Sequence, residues 1–248
     1  MVMPLYDDNP FRLPVRPIVT WGLIVANIVA YVLEIGTGTG DTQDVANIFG
    51  LLPSALTGDD EIPGALPPIL TFVTYMFVHG DLGHLFGNMI FLWVFGDDIE
   101  EALGRVRFLA FYLLCGIAGA AVFVWSDPHA QVTLIGASGA ISGIVIAYVM
   151  LRPCAKVTFL VAVVPLRVRA YWVVGAFVLM QLINLGASSK SEVAYWCHIG
   201  GMMAGVILFL VMRPPGVALF QCMQPVPVGA AKGNGGTPGP WSTPPESR

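Results

Sequence analysis

Charged side chains are scarce in this chain. Asp, Glu, Lys and Arg make up 11% of its 248 residues, whereas a soluble domain carries about 25%. Hydrophobic residues make up 56%, and the mean hydropathy is +0.73. This composition excludes an ordinary soluble domain and predicts an integral membrane protein with the lipid bilayer around it. The net charge is −4, and no nucleic-acid partner is predicted.

Cysteine is also scarce, with four residues that never form a Cys-x-x-Cys pair. Zinc knuckles and disulfide scaffolds need closely spaced or regularly paired cysteines. The sequence therefore predicts neither a disulfide framework nor a structural metal site. The four cysteines are Cys115, Cys154, Cys197 and Cys222.

Six apolar stretches are long enough, or nearly so, to cross a bilayer as helices. They predict an all-α, polytopic bundle of six transmembrane helices. The fourth stretch is short, and it can cross only if its first turn lies below the membrane surface in a cavity lined by protein. The stretches are Ile18–Ile35, Leu82–Ile99, Phe108–Trp125, Ser138–Leu151, Ala170–Leu185 and Tyr195–Met212.

The basic residues predict the orientation. With six spans, eleven of the twelve lysines and arginines fall on one side and only Lys190 falls on the other. By the positive-inside rule both termini are then cytoplasmic. The predicted organisation is a cytoplasmic segment over residues 1–17, a membrane domain over 18–213 and a disordered cytoplasmic tail over 214–248, where proline, glycine and small polar residues dominate.

A serine and a histidine lie within the apolar stretches. Ser138 opens the fourth stretch, and His198 lies in the sixth. Small residues at four-residue spacing also form plain helix-packing surfaces, so Ser138 alone would count as a packing residue. An imidazole within a membrane span is costly and usually functional. Because a neutral imidazole can take the proton of a hydroxyl, and no acidic residue lies nearby in the sixth stretch, the pair predicts a Ser–His dyad for hydrolysis.

Three polar residues are expected at one depth in the membrane. Ser138, His84 and His198 each precede a charged residue at the inner end of their helix by 14 or 15 positions. At 1.5 Å per residue that is about 21–22 Å, which leaves them some 8 or 9 Å below the outer edge of a core about 30 Å thick. A chance scatter of polar residues would seldom produce this agreement.

The neighbours of these residues suit the same chemistry. His84 and Asn88 are four residues apart on one helix face, so both side chains can donate to one oxyanion. Two glycine pairs complete the pattern: the pair beside the serine leaves room for a substrate backbone, and the pair after the histidine lets its helix approach the fourth stretch. These glycines are Gly136 and Gly139, and Gly201 and Gly205.

Four motifs within Ile18 to Met212 resemble, in order and spacing, those of rhomboid intramembrane serine proteases of the six-span prokaryotic type. The motifs are His84-x-x-x-Asn88, Gly96-x-x-x-Glu100-x-x-x-Gly104, Gly136-x-Ser138-Gly139 and His198-x-x-Gly201-x-x-x-Gly205.

The resemblance implies a role for each matched residue. Ser138 would be the nucleophile and His198 the general base, while His84, Asn88 and the Ser138 N–H would form the oxyanion hole. Two further residues would be structural: Glu100 would help to hold the inner loop, and His79 matches a second histidine of the family.

The resemblance also implies the reaction and its place. The chain would hydrolyse peptide bonds in or near the transmembrane segments of single-pass or polytopic membrane proteins, with no cofactor and no metal. It would lie in the plasma membrane of a prokaryote, with the active site opening to the outer side.

Two departures from the family pattern concern the surroundings of the site. The position four residues after the serine is often a tyrosine that stacks on the histidine, but here it is Ser142, so His198 must be supported from elsewhere. The first outer loop lacks arginine altogether, so the family's frequent Trp-Arg pair is absent.

Two other functions remain as alternatives. The first is a catalytically inactive rhomboid-like protein that binds membrane clients, although such relatives usually lack the serine or the histidine. The second is a metal-dependent enzyme or transporter that uses the four histidines, although the chain has no His-Glu-x-x-His helix. These histidines are His79, His84, His129 and His198.

Overall fold

The computed structural model describes residues 2–7, 16–36, 42–60, 62, 64–161, 164–186 and 195–222. Three strands and a set of helices form within these ranges. The strands are β1 (Val2–Asp7), β2 (Lys156–Val161) and β3 (Val164–Arg169). The helices are α1 (Ile18–Gly36), α2 (Thr42–Phe49), α3 (Pro53–Thr57), α4 (Pro68–Thr74), α5 (Leu82–Leu103), α6 (Arg105–Ser126), α7 (Ser138–Leu151), α8 (Ala170–Gly186) and α9 (Tyr195–Met212).

The six predicted stretches coincide with α1, α5, α6, α7, α8 and α9. By length and composition, α1, α6 and α9 are each able to cross a membrane, while α7 and α8 are shorter apolar helices. The predicted helical, polytopic membrane bundle is confirmed. In a bilayer no water is available to the backbone, so a long apolar stretch satisfies its N–H and C=O groups by forming a helix.

The short helix α7 lies at the centre of the bundle, in contact with α5, α6, α8 and α9. Most of its side chains are buried on every face, as expected of a helix that is apolar all round. Its 14 residues extend about 21 Å, less than a hydrocarbon core of about 30 Å. α7 is therefore too short to span that core alone, and its Ser138 end follows directly on the buried Gly136 and Ala137.

A three-stranded antiparallel sheet at the other end of α7, called the sheet end below, was not predicted. Its order is β1-β2-β3, so a strand from residues 1–17 pairs with the segment between α7 and α8. Tyr148 Oη donates to Asp7 Oδ2 over 2.7 Å, and Arg152 Nε lies 3.0 Å from the buried Asp98 carboxylate. The first contact joins β1 to α7, and the second joins the residue after α7 to α5.

The sheet end also holds a disulfide between Cys154 and Cys222, although no disulfide was expected. The backbone N–H of Phe220 donates to the carbonyl of Met150 over 2.7 Å. Residues 214–222 thus contact the end of α7, and the boundary predicted at 213 leaves out a segment that the fold uses. The rest of the predicted tail, 223–248, lies outside the described residues, and the domain boundaries stay predictions.

The apolar part of the loop between α1 and α5 packs against the bundle as α4 and a 3₁₀ turn over Tyr75–Phe77. Tyr75 and Met76 are fully buried, whereas Ile69 and Leu70 are exposed. This short segment therefore supports the core of the site with one face and turns its other face outward.

Candidate active site

The backbone just before α7 is shaped by a glycine. Gly136 has a φ of +102°, a left-handed conformation that glycine adopts without steric cost, and its N–H donates to the carbonyl of Tyr75 over 2.8 Å. A Cβ atom on Gly136 would lie 2.6 Å from the His84 ring. Only glycine suits both the positive φ and the close approach of the His84 ring. The turn leaves Ser138 at the first position of α7, where helix N–H groups have no intrahelical partner.

Ser138 and His198 meet across the α7–α9 interface. His198 Nε2 lies 2.8 Å from Ser138 Oγ, although 60 residues separate the two in the chain. His198 is 8% exposed, and Ser138 is half-buried. This distance is within hydrogen-bond reach, as a nucleophile and its general base require.

Glycines hold α7 and α9 close together. A Cβ atom on Gly201 would collide with the carbonyl oxygen of Gly139, and one on Gly205 would lie 2.6 Å from that of Gly143. Gly139 is similarly limited, because a Cβ there would lie 2.5 Å from Cys197 Sγ. The two backbones touch directly, as in other membrane helix pairs with small residues at four-residue spacing.

His84 and Asn88 lie beside the turn that precedes Ser138. Asn88 Nδ2 would be 3.4 Å from a Cβ atom on Gly136, slightly farther than the His84 ring. Asn88 Nδ2 is also 3.0 Å from Nε2 of the fully buried His79. An amide group has two N–H bonds, so one can donate to His79 and the other towards Gly136. The structure thus brings His79, His84 and Asn88 to the same side of the serine.

Glu100 lies elsewhere, at the sheet end of α5. Its carboxylate accepts hydrogen bonds from Val19 N (3.0 Å), Thr20 N (2.7 Å) and Thr20 Oγ1 (2.8 Å). The resemblance implied contacts with the inner loop, whereas these partners belong to the first turn of α1. A carboxylate suits this position because the first N–H groups of a helix lack partners and attract negative charge. The glutamate therefore fixes α1 against α5.

Sequence reasoning missed Gln181, which contacts the other nitrogen of His198. Gln181 Oε1 lies 2.9 Å from His198 Nδ1, and the side chain is 1% exposed. The available signal was an amide in the middle of an apolar stretch. The ring of Phe177, one turn earlier in α8, lies 6.2 Å from the His198 ring. Ser142, which replaces the family's tyrosine, instead donates to the carbonyl of Ser138 over 2.8 Å.

The fourth histidine, His129, lies in an exposed loop before α7. Its Nδ1 is 2.5 Å from Asp59 Oδ2, and this contact raises the pKa of His129. The pKa of Asp59 is lowered, first by the hydrogen bond from Thr57 and then by His129. The described ranges contain no group of three or more His, Cys, Asp or Glu side chains that could hold a metal ion.

Comparisons with known proteins agree on one family. Residues 68–215 match the family described as Rhomboid domain, which is more than half of the chain. Rhomboid protein 1, mitochondrial, of Saccharomyces cerevisiae is 31% identical over 144 residues, which cover 56% of this chain and 40% of that protein. Rhomboid protease GluP of Bacillus subtilis is 29% identical over 208 residues, covering 83% of this chain and 37% of that protein.

A third relative matches along most of its length. Rhomboid protease AarA of Providencia stuartii is 29% identical over 238 residues, which cover 82% of this chain and 77% of that protein. The chain thus spans about two fifths of the first two relatives and most of the third.

Proposed function

Because the chain belongs to the rhomboid family and its Ser138 and His198 lie 2.8 Å apart, we propose that it is an intramembrane serine endopeptidase. The distance between Ser138 Oγ and His198 Nε2 is the observation that carries this proposal. Its substrates would be membrane proteins, cut in or near a transmembrane segment.

The proposed reaction has two halves. Ser138 Oγ attacks the carbonyl carbon of the scissile bond while His198 Nε2 takes the hydroxyl proton. When the tetrahedral intermediate collapses, the C–N bond breaks and the leaving amine takes that proton, which leaves an acyl-enzyme. A water then gives its proton to His198 and attacks the ester, and the carboxylic product leaves as Ser138 Oγ regains the proton.

The negative charge of each intermediate needs hydrogen-bond donors. His84, Asn88 and the backbone N–H of Ser138 are the proposed donors, since the first two flank Gly136 and the third opens α7. Donors fixed before the reaction starts stabilise the oxyanion without reorganising. His79 would hold the amide of Asn88 through the hydrogen bond between them.

The orientation follows from the basic residues. Eleven of the twelve lysines and arginines lie before α1, in the first turn of α6, around the sheet and after α9, so the sheet end would be cytoplasmic. The Ser138 end of α7 would then open to the outer side. In a prokaryote this membrane would be the plasma membrane.

A cleavage assay in liposomes tests the proposal. The full chain is reconstituted with a fluorescently labelled transmembrane substrate, and Ser138→Ala, His198→Ala and the double variant are compared. We expect each single change to reduce cleavage to background and the double change to cost no more, because a nucleophile and its base act as one unit. Ser142→Ala, the same substitution one turn later in α7, is the matched control and should keep most of the activity.

Two results would contradict the proposal. Cleavage by Ser138→Ala at the wild-type rate would exclude this serine as the nucleophile. Absence of cleavage by the wild-type chain across a panel of transmembrane substrates, together with retained binding of those substrates, would favour an inactive protein that binds membrane clients. Thermal unfolding of each variant in detergent shows whether the loss reflects chemistry or misfolding.

A further inference from the structure

Gln181 is the buried polar exception in a lipid-facing helix. Its neighbours Leu179, Met180, Leu182 and Ile183 are all 50% exposed or more, whereas Gln181 is 1% exposed. Burying an amide within a membrane is costly unless its polar atoms are hydrogen-bonded. The partner of its oxygen is the Nδ1 atom of His198, 2.9 Å away.

The amide atom that faces Nδ1 decides which ring nitrogen of His198 carries the proton. An amide oxygen accepts hydrogen bonds and cannot donate them, so Nδ1 carries the proton whenever this oxygen faces it. In a neutral ring Nε2 then has the lone pair, and Nε2 is the atom 2.8 Å from Ser138 Oγ. Turning the amide over would put its NH₂ group on Nδ1 and force the proton onto Nε2. Such a ring could not accept the proton of the serine.

We propose that Gln181 is a positioning residue that holds His198 in the tautomer able to accept the Ser138 proton, so that the dyad works as a Ser–His–Gln arrangement. This inference rests on the proposed function. In serine proteases with a triad, an acidic residue holds the histidine through the same ring nitrogen. Here a neutral acceptor from α8 takes that place, which suits a site where a buried charge would be expensive.

A second residue supports the role of this face of α8. Phe177 lies four residues before Gln181 on the same side of the helix, with its ring 6.2 Å from the His198 ring. Two consecutive turns of α8 therefore face the imidazole. The ring of Tyr195, in α9 itself, lies 6.5 Å from the same imidazole.

The tautomer can be measured without any cleavage. The chain has only four histidines, so ¹⁵N-histidine labelling gives a small set of ring signals, and His198→Asn assigns the relevant one. We expect the neutral His198 ring to carry its proton on Nδ1 in the wild type and to become a mixture of tautomers in Gln181→Leu. Asn184→Leu is the matched control, because this amide lies one turn later in α8 and donates to the carbonyl of Met180.

Cleavage kinetics give a second readout. Gln181→Leu should lower kcat about three- to tenfold with KM unchanged, which is what the loss of one neutral hydrogen bond costs. Gln181→Glu should recover much of the loss at high pH, because its carboxylate also accepts from Nδ1. A carboxylate beside the ring favours the imidazolium, so the acidic limb of its pH–rate profile should move to higher pH.

The inference and the proposed function fail in different ways. A proton on Nε2 of His198 in the wild type, or an Nδ1 signal that Gln181→Leu leaves unchanged, would overturn the positioning role whatever the activity. Equal losses in Gln181→Leu and Gln181→Glu with a lowered unfolding temperature would overturn it too, since they would reveal a purely structural contact. Lack of cleavage with the expected tautomer would count against the protease and not against the contact.

Discussion

Two helices, α9 and α8, support His198 in different ways. The packing of α9 affects the distance from His198 to Ser138, and side chains of α8 affect the orientation of the imidazole ring. α9 carries the histidine and lies against α7 through glycines, with no space for a methyl group at Gly201. α8 exposes about half of its positions and reaches the histidine through Gln181 and Phe177. The distance between His198 and Ser138 therefore depends on backbone packing, whereas the orientation of the imidazole depends on side chains of α8.

The largest effect is expected from a substitution in α9 that changes the distance between His198 and Ser138. Gly201→Ala adds one methyl group that would collide with the carbonyl oxygen of Gly139, so α9 must move away from α7. A displacement of about 1 Å at a reacting centre can cost about a hundredfold in rate. We expect a loss of that order in the liposome assay, together with a lower unfolding temperature.

The matched control for this change lies in α8. A Cβ atom on Gly175 has no neighbour within 4 Å, so Gly175→Ala should leave the cleavage rate within about twofold, the usual range for a surface substitution. If both alanine variants were fully active, the claim that glycine packing sets the dyad distance would be wrong. Equal large losses would show that α8 is held as tightly as α9.

The smallest effect is expected from the ion pair between His129 and Asp59, which lies in loops outside α8 and α9. The pKa of His129 is raised, so its contribution is fully present below the ordinary value of about 6.5 and is lost as pH rises through the raised pKa. The pKa of Asp59 is lowered, so its contribution is lost only as pH falls through that lower value. The pair is therefore formed at mildly acidic pH.

An NMR titration of His129 checks the direction of this pKa shift. Asp59→Asn should return the pKa of His129 towards its ordinary value, while cleavage at neutral pH stays unchanged because both side chains are largely exposed and exposed pairs contribute little. A titration curve of His129 that is identical in the two proteins would show that the pair does not form in solution. A large loss of cleavage would mean that this loop holds the start of α7.

The helices could be predicted closely, and the sheet could not. An apolar stretch in a bilayer has no better way to pair its backbone than a helix, so α7 and α9 begin and end as predicted. β1 pairs with β2 across about 150 residues, a partnership that no local pattern records. The Cys154–Cys222 disulfide was not predicted for the same reason, because its 68-residue separation resembles no recurrent cysteine spacing.

The candidate site also has residues that the sequence predicts and residues that it does not. The depth argument predicted that Ser138, His84 and His198 lie at one level. In the structure the His84 ring lies beside Gly136, and His198 lies 2.8 Å from Ser138. Gln181 was missed because its role depends on which face of α8 contacts His198. An apolar stretch does not reveal how its helix is rotated about its axis. The contact of Glu100 with α1 was not predicted, because α1 is far from Glu100 in the chain although the hydrogen bond is direct.

The most direct measurement of the central claim is the site of covalent labelling by an active-site electrophile. The reconstituted wild-type chain is treated with a fluorophosphonate and mapped by peptide mass spectrometry, with His198→Ala and Ser142→Ala treated in parallel. A serine activated by His198 should carry one phosphonyl group on Ser138 in the wild type and in Ser142→Ala, and almost none in His198→Ala. Labelling at another residue, or labelling of Ser138 at the same rate without His198, would contradict the account.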